Sequence, residues 1–185
     1  DRDTLQGKRD FAIMVMMITT GVRVSAIANA RIGSIKQLTD EYHLEYKNKG
    51  GTDVTSDITG IMPVILEYLT ARGLTLKDSS AALFTATKAG KKAMVHTRHS
   101  GSIDKPLSDR TINHLVGKYA KMAGLPGIHA HSLRHTSASI AKKQGKSELE
   151  ISKHLKHSGL GVTGIYLDNA INNRNNDVAN TISQM

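Results

Sequence analysis

The chain has 185 residues, with 25 Lys plus Arg against 16 Asp plus Glu and a formal net charge of +9. That length suits one compact domain, and the charge points to a polyanionic partner such as nucleic acid. The absence of Cys excludes disulfide scaffolds, thiol catalysis and Cys-ligated zinc, and the longest apolar run, Phe11 to Ile18, is far short of the ~20 residues of a membrane span.

Residues 7 to 20 read as a helix, apolar nearly all round through Phe11, Ile13, Met14, Val15, Met16, Met17 and Ile18, so it should be central and buried. Gly21 stops it, and a short second helix follows through Val24, Ile27 and Ala30. Residues 35 to 38 suit a short strand. His43 to Lys47 alternates polar and apolar, Val54, Ser56 and Ile58 alternate more weakly, and Gly50-Gly51 lies between, which predicts a β-hairpin. Pro63 suits a first helical position, and Ile65, Leu66 and Leu69 carry that helix toward Gly73. Residues 87 to 105 read as a basic surface loop, either simply solvated or riding on phosphates.

A Ser108 cap opens a helix through Ile112, Leu115, Val116 and Tyr119 to Gly124. Residues 131 to 144 look helical and end at Gly145, and Ser147 to Glu150 forms a capping box for the next helix. A glycine-rich joint at Gly159, Gly161 and Gly164 leads to Ile165-Tyr166-Leu167, then to an Asn-rich tail with a helix over 177 to 184. The pattern is α+β, mainly α, with a small antiparallel sheet, in a single domain over residues 1–185. The opening Asp1-Arg2-Asp3, without an initiator Met, reads as the start of a fragment.

Several polar residues are not explained by packing. Arg23 follows a helix-ending glycine beside two apolar helices, where a half-buried guanidinium needs an anion, either a structural carboxylate or a ligand. His131 and Arg134 are three apart and share a helix face, pairing a group that titrates near neutrality with a fixed cation. His154 and His157 are again three apart. Tyr166 follows the glycine joint, and Lys47 and Lys49 sit at the hairpin tip. His129, His131, His135, His154 and His157 invite a metal reading, but Arg134 in their midst opposes a divalent cation, and no carboxylate is spaced as a ligand beside them. The expectation is no metal.

Thr20-Gly21-Val22-Arg23, a hairpin lysine, His131-x-x-Arg134 followed by His-Thr, Leu155-Lys156-His157-Ser158, and Tyr166 nine residues after His157 occur in this order. The combination resembles the catalytic domain of the tyrosine recombinases, the phage-integrase and Xer-type site-specific recombinases, from the helix before Arg23 to Tyr166. This chain has Ala26 where that family usually has an acid, Lys156 where it has Gly, and Thr52-Asp53 where a second hairpin base is usual. Lys49 best matches the family's lysine because it directly precedes the glycine turn; Lys47 is the reserve.

The resemblance implies a site-specific DNA recombinase in which Tyr166 attacks phosphorus to form a 3′-phosphotyrosyl link. It further implies that Arg23 and Arg134 clamp the non-bridging oxygens, His131 acts as base, His157 donates a hydrogen bond and Lys49 acts as acid. It implies double-stranded DNA as partner, a synaptic tetramer in the full-length protein, an N-terminal DNA-binding domain outside this chain, hence weak DNA binding by this part alone, and a cytoplasmic, DNA-associated location. A type IB topoisomerase-like strand transferase and a DNA-binding module without chemistry are the alternative readings.

Overall fold

The computed structural model describes residues 2–48, 50–87 and 105–156. Thr4 caps the first helix, α1 (Leu5–Thr20), by accepting a hydrogen bond from the backbone N–H of Gly7 at 3.0 Å. The helix ends at Gly21, which takes the left-handed conformation at φ 62 that a side chain resists. Ala12, Ile13, Met16 and Met17 are buried, but Phe11, Met14, Val15 and Ile18 are only partly so. Burial is therefore one-sided rather than all round. The surprise on the inner face is charge: Arg9 and Asp10 are buried at 6% and 2% exposure.

That pair is held in a closed hydrogen-bond network. Asp10 accepts from Arg9 Nε at 2.8 Å and Nη2 at 2.6 Å, and from the Tyr119 hydroxyl at 3.1 Å. Arg9 Nη1 also donates to the carbonyl of Thr85 and to Thr87 Oγ1, both at 3.0 Å. The network ties the first helix to the segment beyond residue 84 and to a later helix.

After α2 (Val24–Asn29), β1 (Ile35–Leu38), β2 (Glu41–Lys47) and β3 (Asp53–Asp57) form one antiparallel sheet in that order. Ile35 pairs with Leu44 and Leu44 with Ser56, so the strand expected at 35 to 38 joins the hairpin as its third member. Asn48 shapes the β2–β3 turn, its Oδ1 accepting from the N–H groups of Gly50 and Thr52.

The helix α3 (Met62–Ala71) begins one residue before Pro63. Then come α4 (Asp109–Met122), capped by Ser108, α5 (Ala130–Lys143), and α6 (Glu148–His154), whose Ser147–Glu150 capping box is formed. α1 packs on α3, α4 and α5. Ile13, Met16, Ile27, Ile65, Tyr68 and Phe84 lie at the heart of the main core. Ala138, Ile151 and Leu155 form a small second cluster under α6. The basic stretch from 88 to 104, the glycine joint, and the tail helix lie outside the described residues.

Candidate active site

The site is assembled where α1 ends. A Cβ on Gly21 would lie 2.5 Å from Leu155 Cδ2 and 3.0 Å from Ser137 Oγ, so the bare backbone there lets α5 and α6 close in. Arg134, at 2% exposure, fills that junction. Its Nη1 donates to the carbonyl of Gly21 and its Nη2 to the carbonyl of Leu155. One guanidinium thus joins the end of α1, the middle of α5 and the end of α6.

Two residues beyond Gly21, Arg23 is half-buried in extended geometry at the start of α2. Among the described residues no carboxylate pairs with it. The structural ion pair that would have explained Arg23 is therefore not formed within them, and the family's acidic position is occupied by the buried Ala26. Arg23, His131 and Arg134 line one pocket of about 230 Å³ together with Ser25 and Asn113. Arg23, which no sequence spacing ties to the His131–Arg134 pair, lies beside both on that pocket.

The chemistry of His131 follows from its surroundings. Burial, then Arg134, His129 and Arg23, hold its pKa below the usual imidazole value. The hydroxyl of Tyr46 on β2, 3.1 Å from Ser56 Oγ, is pushed up by burial, while Ser56, Arg134 and Arg23 pull the other way. The inner face of the sheet thus lies within electrostatic reach of both arginines, which the sequence did not announce.

Lys47 is exposed at the end of β2, its Nζ 3.3 Å from Asp53 Oδ1 and 3.5 Å from the carbonyl of Gly51. Asp53 stands where the family usually has a base, and it draws Lys47 into a surface ion pair. Lys49, His157 and Tyr166 lie outside the described residues.

Among the described residues no group of three or more His, Cys, Asp or Glu is placed to hold a metal. His154 Nε2 instead meets Ser137 Oγ at 2.8 Å, a contact that sequence reading missed because the two lie on different helices. His135, quoted in the motif without a role, packs its ring against that of His131; their spacing of four on a helix was the available signal. Lys156, in place of the family's Gly, has φ 52. No described helix is long and apolar enough to cross a membrane.

A model of the phage integrase family matches residues 2–173. Tyrosine recombinase XerC of Caldanaerobacter subterraneus subsp. tengcongensis is 29% identical over 163 residues, covering 86% of this chain and 41% of that protein. Tyrosine recombinase XerA of Pyrococcus horikoshii is 31% identical over 159 residues, covering 85% of this chain and 50% of that one. The chain thus spans half or less of the length of these curated relatives. Among solved structures, XerH site-specific recombinase bound to palindromic difH substrate in a post-cleavage complex aligns with a TM-score of 0.68 at 19% identity, over 98% of this chain and 48% of that one. XerA recombinase aligns with a TM-score of 0.67 at 22% identity, over 87% of this chain and 53% of that one. These likenesses speak for a shared fold.

Proposed function

Because this chain belongs to the phage integrase family, we propose that it is the catalytic domain of a tyrosine recombinase that cuts and rejoins double-stranded DNA at a specific site. The observation that carries this reading is the convergence of Arg23, His131 and Arg134 on one pocket, with Arg134 buried and no carboxylate pairing with Arg23 among the described residues. Two fixed cations and a neutral imidazole at one concave spot suit a phosphodiester.

In the transfer, charge builds on the non-bridging oxygens of a pentacoordinate phosphorus, and Arg23 and Arg134 stabilise it. The Tyr166 hydroxyl loses its proton to His131 as its oxygen bonds to phosphorus. The bond from phosphorus to the 5′-oxygen breaks, and Lys49 gives that oxygen a proton. His157 donates a hydrogen bond to the phosphate. The phosphotyrosyl link conserves the bond energy, so the reaction as written draws on no nucleotide cofactor, and the arginines supply the charge that a metal supplies elsewhere. Lys47 is the weaker candidate for the acid because Asp53 already engages it.

DNA is the proposed partner, supported by the net charge of +9 and by XerH, a structural neighbour solved with its difH substrate. A tetramer on DNA, with each protomer also using chain outside these 185 residues, and a cytoplasmic location complete the reading.

The test is a covalent trap without added metal: the protein and a nicked random-sequence duplex library, denatured in SDS. An adduct lost in Tyr166→Phe supports the nucleophile, and the captured DNA identifies the site. An adduct retained in Tyr166→Phe rules that assignment out. DNA binding without any adduct favours the module without chemistry, and relaxation of supercoils without strand exchange favours the topoisomerase-like reading.

A further inference from the structure

Outside the residues given roles above, α5 carries an arrangement with chemical content. The rings of His131 and His135 meet with centroids 4.9 Å apart and planes at 88°. We propose that His135 is a positioning residue for the strand-cleavage step: its ring, packed edge-to-face with that of His131, fixes the His131 imidazole at the pocket and stabilises the proton it takes up. This rests on the recombinase reading for its consequence, though the contact itself does not.

The geometry follows from the helix. Residues four apart on α5 stand on one face, one turn above the other. His131 lies in the first turn, near the positive end of the helix dipole, with its ring only partly covered. An imidazole side chain chooses among several staggered rotamers, and a ring packed against it at right angles favours one of them. The perpendicular arrangement sets the positive edge of one ring against the negative face of the other, the preferred geometry for aromatic pairs.

The arrangement also suits a base. Arg134 and His129 from α5, and Arg23 from the turn between α1 and α2, all oppose a proton on His131. His135 faces His131, Arg134 and His129. With this much positive charge around them, a proton on both rings at once is disfavoured. When His131 takes the proton from Tyr166, it becomes a cation beside a neutral ring, an attractive cation–π contact. With His135 also protonated the contact would be repulsive. The neutral partner therefore favours the imidazolium only once it forms, while the arginines keep His131 unprotonated before that.

The full-length protein with ring-labelled histidine, titrated by NMR, tests the contact; adduct formation against pH tests its consequence. In His135→Ala the His131 ring is expected to titrate further below the ordinary 6.5, because the ring that stabilises its proton is gone. The adduct rate is expected to fall roughly tenfold at pH 8, where a weaker base costs most, and less at pH 6, moving the acid limb downward. His135→Phe, which keeps a ring but cannot titrate, should stay within about threefold of the parent at both pH values. His135→Gln repeats the alanine arm should that variant unfold. An unmoved His131 titration in His135→Ala, or equal losses in the Ala and Phe variants at every pH, overturns the proposal. A parent protein that forms no adduct sinks the recombinase reading, and the NMR arm still decides the ring contact.

Discussion

Arg134 Nη1 donates to the carbonyl oxygen of Gly21, a residue 113 positions earlier in the chain. Gly21 stands two residues before Arg23, so the same hydrogen bond that buries one arginine sets the backbone from which the other extends. Position 134 thus serves the fold as well as the site.

Arg134→Gln should therefore lose stability along with chemistry. It leaves the carbonyls of Gly21 and Leu155 without their charged donor, and hydrogen bonds from charged groups contribute about 1.5–3 kcal/mol each. A loss of about 2–4 kcal/mol by urea denaturation is expected. Unchanged stability would mean that other donors reach those carbonyls.

Gly21→Ala attacks the same junction from the backbone side. The added methyl requires φ near 62 and meets Leu155 Cδ2 at 2.5 Å. Strain and overpacking together should cost about 2–3 kcal/mol. Lys156→Gly is the converse, because the lysine itself holds φ 52. Glycine there should add about 1 kcal/mol and raise the melting temperature. A lower melting temperature would show that the Lys156 side chain contributes more than its backbone costs.

The buried Arg9–Asp10 pair makes a sharper test. Asp10→Ala strands the guanidinium of Arg9, and breaking one partner of a buried pair costs about 3–5 kcal/mol. Replacing both at once, as Arg9→Met with Asp10→Leu, should recover much of that loss. Equal losses in the single and double variants would assign the energy to the Tyr119, Thr85 and Thr87 contacts instead.

Stability should also depend on pH through the histidines. Burial lowers His131, His135 and His154, with Arg134 adding to the effect on each. A lowered folded-state value means that the folded protein binds fewer protons than the unfolded chain. Their contribution is complete above about pH 6.5, the unfolded value, and is lost as pH falls below it. The lowered carboxylates Asp57, Glu67 and Glu150 act the same way only nearer 3.8 to 4.5. Denaturation between pH 5 and 7 should show stability rising with pH, and His154→Gln should flatten the rise. A slope unchanged by His154→Gln would remove His154 from the account.

Much of this was legible in the chain before any coordinates. Ser108, the Ser147–Glu150 box and the stopping glycines mark helix ends because capping is local chemistry, and Thr4 does the same without a distinguishing pattern. His131 and Arg134 announced a shared face through their spacing, and Arg23 through its place after Gly21. What stayed hidden was long-range. Nothing near Arg9 indicates that Tyr119 and Thr85 will satisfy a charged pair in the core, and nothing near Ser137 indicates His154. The Lys47–Asp53 pair required the strand register, which is set by pairing across the sheet rather than by either residue's neighbours.

The cluster under α6 consists of Ala138, Ile151 and Leu155, separate from the main core. So little buried apolar surface makes the helix a weakly held unit, released at less cost than the helices packed around α1. Amide exchange should accordingly be fast across Glu148–His154 and slow across Leu5–Thr20. Arg134, bonded to Leu155 at one end and Gly21 at the other, then works as a latch: each opening of α6 frees one arm of the guanidinium while the other stays fastened to the core.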